Sequence, residues 1–198
     1  YEAMHDTNAG STSQASNDNT FIGYSAGGGT WANAESYGNV SLGNYTLDDS
    51  LNGATYNTAL GYGALSDLET ADGNVAVGTS AGQTTVDVDN TVLIGYQAGT
   101  GNMTSDADGT IAIGYQAGSA ITSGQMNTII GYQAGDAITD GDSSTIVGYQ
   151  AGSAITAAGE TGSTLIGKWA GKSLTSGGYN TAIGRGTMIN ATTANSCV

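Results

Sequence analysis

The sequence predicts an all-β fold, a repetitive parallel β-solenoid of about ten coils. Three observations carry that expectation. An aliphatic-Gly pair recurs ten times, at Gly23, Gly43, Gly61, Gly78, Gly95, Gly114, Gly131, Gly148, Gly167 and Gly184, with spacings of 20, 18, 17, 17, 19, 17, 17, 19 and 17. A fixed period near 17 marks stacked repeats, each burying its apolar face on the next. Glycine accounts for 33 of 198 residues and proline for none, against a usual glycine share of roughly 7%. Helices do not tolerate glycine at that density, and helical repeats run to about 33 residues or more. The third observation is the run of β-branched and aliphatic residues before each key glycine, which strands prefer.

Taken along the chain, a polar leader spans 1–16, the repeat domain 17–190 and a short tail 191–198. Each repeat carries a short strand ahead of its key glycine. Directly before the key glycine stand Ile22, Leu42, Leu60, Val77, Ile94, Ile113, Ile130, Val147, Ile166 and Ile183. Two positions earlier come Thr20, Val40, Thr58, Val75, Val92, Ile111, Thr128, Thr145, Thr164 and Thr181. These two columns share one face, because side chains alternate along a strand.

The position between them points the other way, and nine of its ten residues are apolar: Phe21, Ala59, Ala76, Leu93, Ala112, Ile129, Ile146, Leu165 and Ala182, with Ser41 the exception. A strand apolar on both faces is covered on both. A second subunit is the simplest cover, so Phe21, Leu93, Ile129, Ile146 and Leu165 are expected at an oligomer interface. After the glycine, alanine follows at the third position (Ala26, Ala64, Ala81, Ala98, Ala117, Ala134, Ala151 and Ala170) and suits a tight inward corner. An apolar residue at seven or eight (Leu68, Ile121, Ile138, Ile155 and Leu174) opens a second core-facing segment. Coils stacked about 4.8 Å apart give a rod roughly 45–50 Å long.

Charge narrows the function. Seventeen acidic and three basic residues leave a formal net charge of −14. Nucleic acid is not an expected partner, since binding it requires basic residues to displace phosphate counterions; an anionic membrane surface is disfavoured equally. No apolar run approaches the ~20 residues of a membrane span. The single cysteine, Cys197, permits no intrachain disulfide and supplies no zinc spacing. The chain starts at Tyr1 rather than Met, as a processed product or a piece of a longer protein would.

Several motifs invite chemistry. "IGKWAGKS", Ile166–Ser173, imitates a phosphate loop, but that loop needs glycine five positions before the Gly171–Lys172 pair, where Ile166 stands. It is the ninth repeat. Tyrosine follows the key glycine at six coils, and Tyr96, Tyr115, Tyr132 and Tyr149 occupy four consecutive coils. They are expected to stack as a ladder, worth about 0.2–1 kcal/mol per pair, and form a candidate glycan-binding column. Every basic residue, Lys168, Lys172 and Arg185, lies in the last quarter and marks a candidate contact for an acidic partner or a solvated end. Asp106–Asp108 and Asp140–Asp142 carry oxygen ligands of the kind calcium takes, yet turn chemistry explains them equally well. His5 is alone in the leader, with no nucleophile to serve. No catalytic, metal or cofactor residue is assigned, and no enzyme is expected.

The repeats "NTAIGRG", "NTALGYGAL" and "NVAVGTSAG" resemble the Asn-Thr-Ala-Ile-Gly-Tyr arrays of marine phage tail fibres, and the related head repeat of trimeric autotransporter adhesins, over about Asn19–Met188. That resemblance implies a homotrimeric fibre segment on a virion or outside a cell. It implies a display rod that meets other virion or surface proteins at its ends and a host-surface glycan along its length. The alternatives are a bacterial or archaeal surface adhesin or filament subunit, and an ice-binding solenoid with an exposed threonine row.

Overall fold

A computed structural model describes residues 16–31, 34–156 and 162–198. It is a parallel β-solenoid of about nine turns. The ten strands are β1 (Thr20–Ile22), β2 (Val40–Leu42), β3 (Thr58–Leu60), β4 (Val75–Val77), β5 (Val92–Ile94), β6 (Ile111–Ile113), β7 (Thr128–Ile130), β8 (Thr145–Val147), β9 (Thr164–Ile166) and β10 (Thr181–Ile183). They form one parallel sheet in chain order. Register is uniform, as in Ala112↔Ile129 and Ile129↔Ile146, so each sequence column becomes a physical column along the rod.

The key glycines set how closely coils approach. At Gly131 the backbone φ is +140°, and a Cβ there would lie 2.4 Å from the carbonyl oxygen of Gly148. No other residue type fits such a backbone at that spacing. Past the glycine the chain turns the corner, and the alanines three positions on are fully buried.

The core is a single column. Leu68, Ile121, Ile138, Ile155 and Leu174 close it from one side, and the middle residue of each strand from the other. Leu93, Ile129, Ile146 and Leu165 are 0% exposed within this one chain. The oligomer interface expected at these four residues is therefore corrected: they are core. Phe21, expected there too, is half-buried and packs edge-on against the buried Trp31 at 5.7 Å between ring centroids. The reason is the narrowness of the coil. The middle column holds four alanines and Ser41, small enough to meet the opposite wall, whereas the flanking columns hold no small residue. Ser41, its polar member, is buried with its hydroxyl 2.7 Å from that of Thr46.

An asparagine column ahead of the strands finishes the interior. The Asn39, Asn57 and Asn74 side-chain amides each donate to the side-chain oxygen of the preceding asparagine, at 3.0, 3.1 and 3.0 Å. Each also donates to a main-chain carbonyl, of Ala54, Ala71 and Val88 respectively. Buried polar groups thus satisfy one another along the axis. Within 191–198 the backbone hydrogen-bonds to the coil before it. Cys197 accepts from the Thr181 N–H at 2.7 Å, and Thr192 from the Thr175 N–H at 2.9 Å. Residues 1–15 of the expected leader lie outside the described residues, and Ser16 accepts from the Ser36 N–H through its hydroxyl.

Candidate functional site

Two surfaces of the rod are candidates, the outer face of the sheet and the corner that follows the key glycines. Twenty side chains point outward from the ten strands. Fourteen are Val, Ile or Leu, six are Thr, and none is charged. In a chain of net charge −14 an uncharged strip running the whole length of the sheet is a strong departure. Exposed apolar strips of this kind mark interaction surfaces. Ile22, Val40, Leu42, Leu60 and Ile183, toward the two ends, are its exposed aliphatic members, and the other nine are half-buried. The threonines of β7 to β10 (Thr128, Thr145, Thr164 and Thr181) occupy four successive rungs beside Ile130, Val147, Ile166 and Ile183.

The corner carries the tyrosines. Tyr96, Tyr115, Tyr132 and Tyr149 stack with centroids 5.4, 4.8 and 5.2 Å apart and planes within 10°. Their ring faces are committed to one another, so the ladder presents edges and hydroxyls outward. That geometry disfavours a sugar stacked on an open ring face and leaves hydrogen bonding at the hydroxyls.

Beside the tyrosines runs a glutamine ladder. Gln116, Gln133 and Gln150 each donate a side-chain amide hydrogen to the side-chain oxygen of the glutamine one coil earlier, at 3.0, 3.2 and 3.1 Å. Trp169 ends the series by donating its indole N–H to Gln150 at 3.3 Å. These residues sit in the left-handed region, with φ near +50° at the glutamines and +64° at Trp169. Their backbone N–H groups bond to the tyrosine carbonyls of the preceding coil, which holds the strained conformation in place.

At the C-terminal end of that corner the three cations collect on one ring. The Lys168 and Lys172 ammonium nitrogens lie 4.2 and 5.5 Å from the Trp169 ring, and the Arg185 guanidinium carbon 5.7 Å. The π system offsets part of their mutual repulsion.

At the opposite end the corner is acidic. Tyr45, Asp48, Asp49, Tyr62, Asp67 and Gln83 line a recess of about 340 Å³. Burial, and then the charges of Asp49 and Asp67, push the Asp48 carboxyl above the usual aspartate range. Sequence reasoning missed this recess because its carboxylates come from two coils and no motif joins them; the off-period tyrosine Tyr45, edge-on to Tyr62 at 5.3 Å, was the available signal.

The aspartates considered for calcium cap turns. Asp108 accepts from the Asp89 N–H at 2.7 Å and Asp142 from the Gln125 N–H at 2.9 Å. Among the described residues no group of three or more His, Cys, Asp or Glu is placed to hold a metal ion.

Fold and surfaces together define a parallel β-solenoid with an uncharged outer sheet and a charge-polarised aromatic corner. Comparison with protein-family models, with curated proteins and with solved structures found no match to this chain.

Proposed function

We propose that this chain is a structural rod that self-associates through its outer sheet face into a homotrimer, serving as a rigid segment of a virion fibre outside the cell. The observation that supports it best is the outer strip of twenty side chains without one charge. The resemblance to fibre and adhesin repeats supplies the number three. Burying fourteen aliphatic side chains per chain removes the apolar strip from water, and apolar burial is the main driving term in most association. The remaining exposed column, the tyrosine hydroxyl row, repeats along the rod and supports weak multivalent attachment to a host glycan. No step in this work requires a catalytic residue. A surface adhesin or filament subunit of a cell uses the same parts and differs in what it joins at its ends.

Native mass at physiological salt tests the proposal. A value near three times 19.6 kDa is expected, and Ile113→Lys with Ile130→Lys should reduce it to one. A wild-type monomer across the micromolar range overturns it. One observation favours a second function, ice binding: the four successive outward threonines of β7 to β10 flanked by an aliphatic row. A monomer that depresses the freezing point more than its melting point would establish that function.

A further inference from the structure

We infer that the aromatic corner is a self-complementary docking edge, on which a second copy of this chain lies antiparallel, so that the acidic recess of each meets the cationic cluster of the other. The inference does not depend on the outer sheet face.

The placement of charge carries it. Counting coils by their key glycines, Asp48 and Asp49 belong to the second coil, Asp67 to the third, Lys168 and Lys172 to the ninth, and Arg185 to the tenth. All lie one to six residues after the glycine, on one corner. Backbone hydrogen bonds tie that corner together from coil to coil, from Gly63 N–H to Asn44 through Gln116 N–H to Tyr96 and on to Gly186 N–H to Lys168. One edge of the rod is thus negative at one end and positive at the other, with one further carboxyl, the half-buried Asp136 of the seventh coil, between them.

Both ends hold like charges crowded together, three carboxylates around one recess and three cations around one indole. A pairing of identical surfaces requires two-fold symmetry, in which each contact occurs twice. Placing the two-fold at the sixth coil, beside Tyr115, sets the third coil against the ninth and the second against the tenth. Asp67 then faces Lys168 and Lys172, and Asp48 and Asp49 face Arg185, in both copies. The tyrosine ladder, which spans the fifth to eighth coils, crosses its counterpart at the centre. Parallel pairing in register would instead set acid on acid and base on base.

The contact strip is about 38 Å by 10 Å, taken from a coil rise of about 4.8 Å. That is less than half the ~800 Å² per partner of a standard interface, so the pair is weak and steered by charge. Association is therefore measured by sedimentation up to about 0.5 mM chain, a range suited to small interfaces. The charge-dependent pairing is expected in 0.05 M NaCl and should weaken about tenfold or more in 0.5 M, where the Debye length falls to about 4 Å. Lys168→Glu, Lys172→Glu and Arg185→Glu together should abolish it. So should Asp49→Lys with Asp67→Lys, and joining both sets in one chain should restore it.

Association through the outer sheet resists salt and is shared by the reversed variants, so the difference between wild type and variant isolates this edge. Exposed Cys197 supplies the orientation. It stands one coil beyond β10, opposite Asn180 in register. Spin labels there are expected about 48 Å apart along the axis in the charge-dependent pair, five coils each side of the two-fold. A charge-dependent label distance below about 25 Å, a mass that grows past one doubling in the chain made monomeric by Ile113→Lys and Ile130→Lys, or no salt-sensitive pairing overturns the inference.

Discussion

Replacing Asn74 by aspartate removes two protons from a buried network and changes almost nothing in shape. The Asn74 amide donates to the Val88 carbonyl at 2.7 Å and to the Asn57 side-chain oxygen at 3.0 Å, while its own oxygen accepts from the Thr91 N–H and hydroxyl at 2.9 and 2.7 Å. Asn74→Asp keeps the two acceptances and turns both donations into contacts between oxygens. A buried carboxyl in such a place has its pKa raised by about 3, and each unit is worth about 1.4 kcal/mol. The full penalty at pH 7 is then about 4 kcal/mol, and the two Thr91 donors return part of it, leaving about 3 kcal/mol.

The sign follows from proton binding. Between the unfolded and folded pKa values the native variant holds the extra proton, so its stability falls as pH rises through that window. At pH 4 the protonated carboxyl donates to Val88 again and the variant should melt within about 3 °C of wild type, given about 2–4 °C per kcal/mol for a chain of this size. At pH 7.5 the same conversion places it about 6–12 °C lower. Melting curves by circular dichroism at the two pH values measure the difference directly. A loss that is the same at both, or under about 1 kcal/mol at pH 7.5, would refute the ladder as a source of stability.

The remaining predictions concern the corner. Gly131→Ala should cost about 3–5 kcal/mol, combining an unfavourable φ with a Cβ forced onto the Gly148 carbonyl. Gly184→Ala has the same kind of φ but meets only the Thr187 methyl at 3.4 Å, so about 1–2 kcal/mol is expected; equal losses in denaturant titrations would remove the carbonyl contact from the account. The Asp48 and Asp136 carboxyls are both raised, Asp48 by burial and then by Asp49 and Asp67, Asp136 by burial with one oxygen left without a partner. A raised acid binds its proton more tightly in the native state, so stability should climb as pH falls from neutrality into the window just above the ordinary aspartate range. Asp48→Asn should raise the melting temperature at pH 7 and flatten that climb, and a variant that melts lower with an unchanged pH slope contradicts it.

Periodicity made the fold legible, and the spacing of key glycines placed every strand. The Ala64-type and Ile121-type columns were read as inward, and the structure buries them. Periodicity alone did not say which face of a doubly apolar strand was the interior. Ala59, Ala76, Ala112 and Ala182 held that information, since a narrow coil limits side-chain size and open solvent does not. Nothing in the sequence marks the asparagines ahead of the strands as buried, because their partners, Val88 and its equivalents, are backbone groups that carry no sequence mark. The acidic recess is a property of two coils at once, and the cluster on Trp169 became visible only when Lys168, Lys172 and Arg185 were brought to one ring.

The coil from Gly95 to Gly114 carries two residues more than the common period of 17, and it contains a short 3₁₀ turn at Ser105–Ala107. The next strand, Ile111–Ile113, still pairs with Val92–Ile94 in the common register. Extra length has been taken up at the surface without being passed on. Such a scaffold separates inheritance of shape from inheritance of specificity. A gene encoding it can acquire loops of foreign sequence, one coil at a time, while the frame that presents them stays the same.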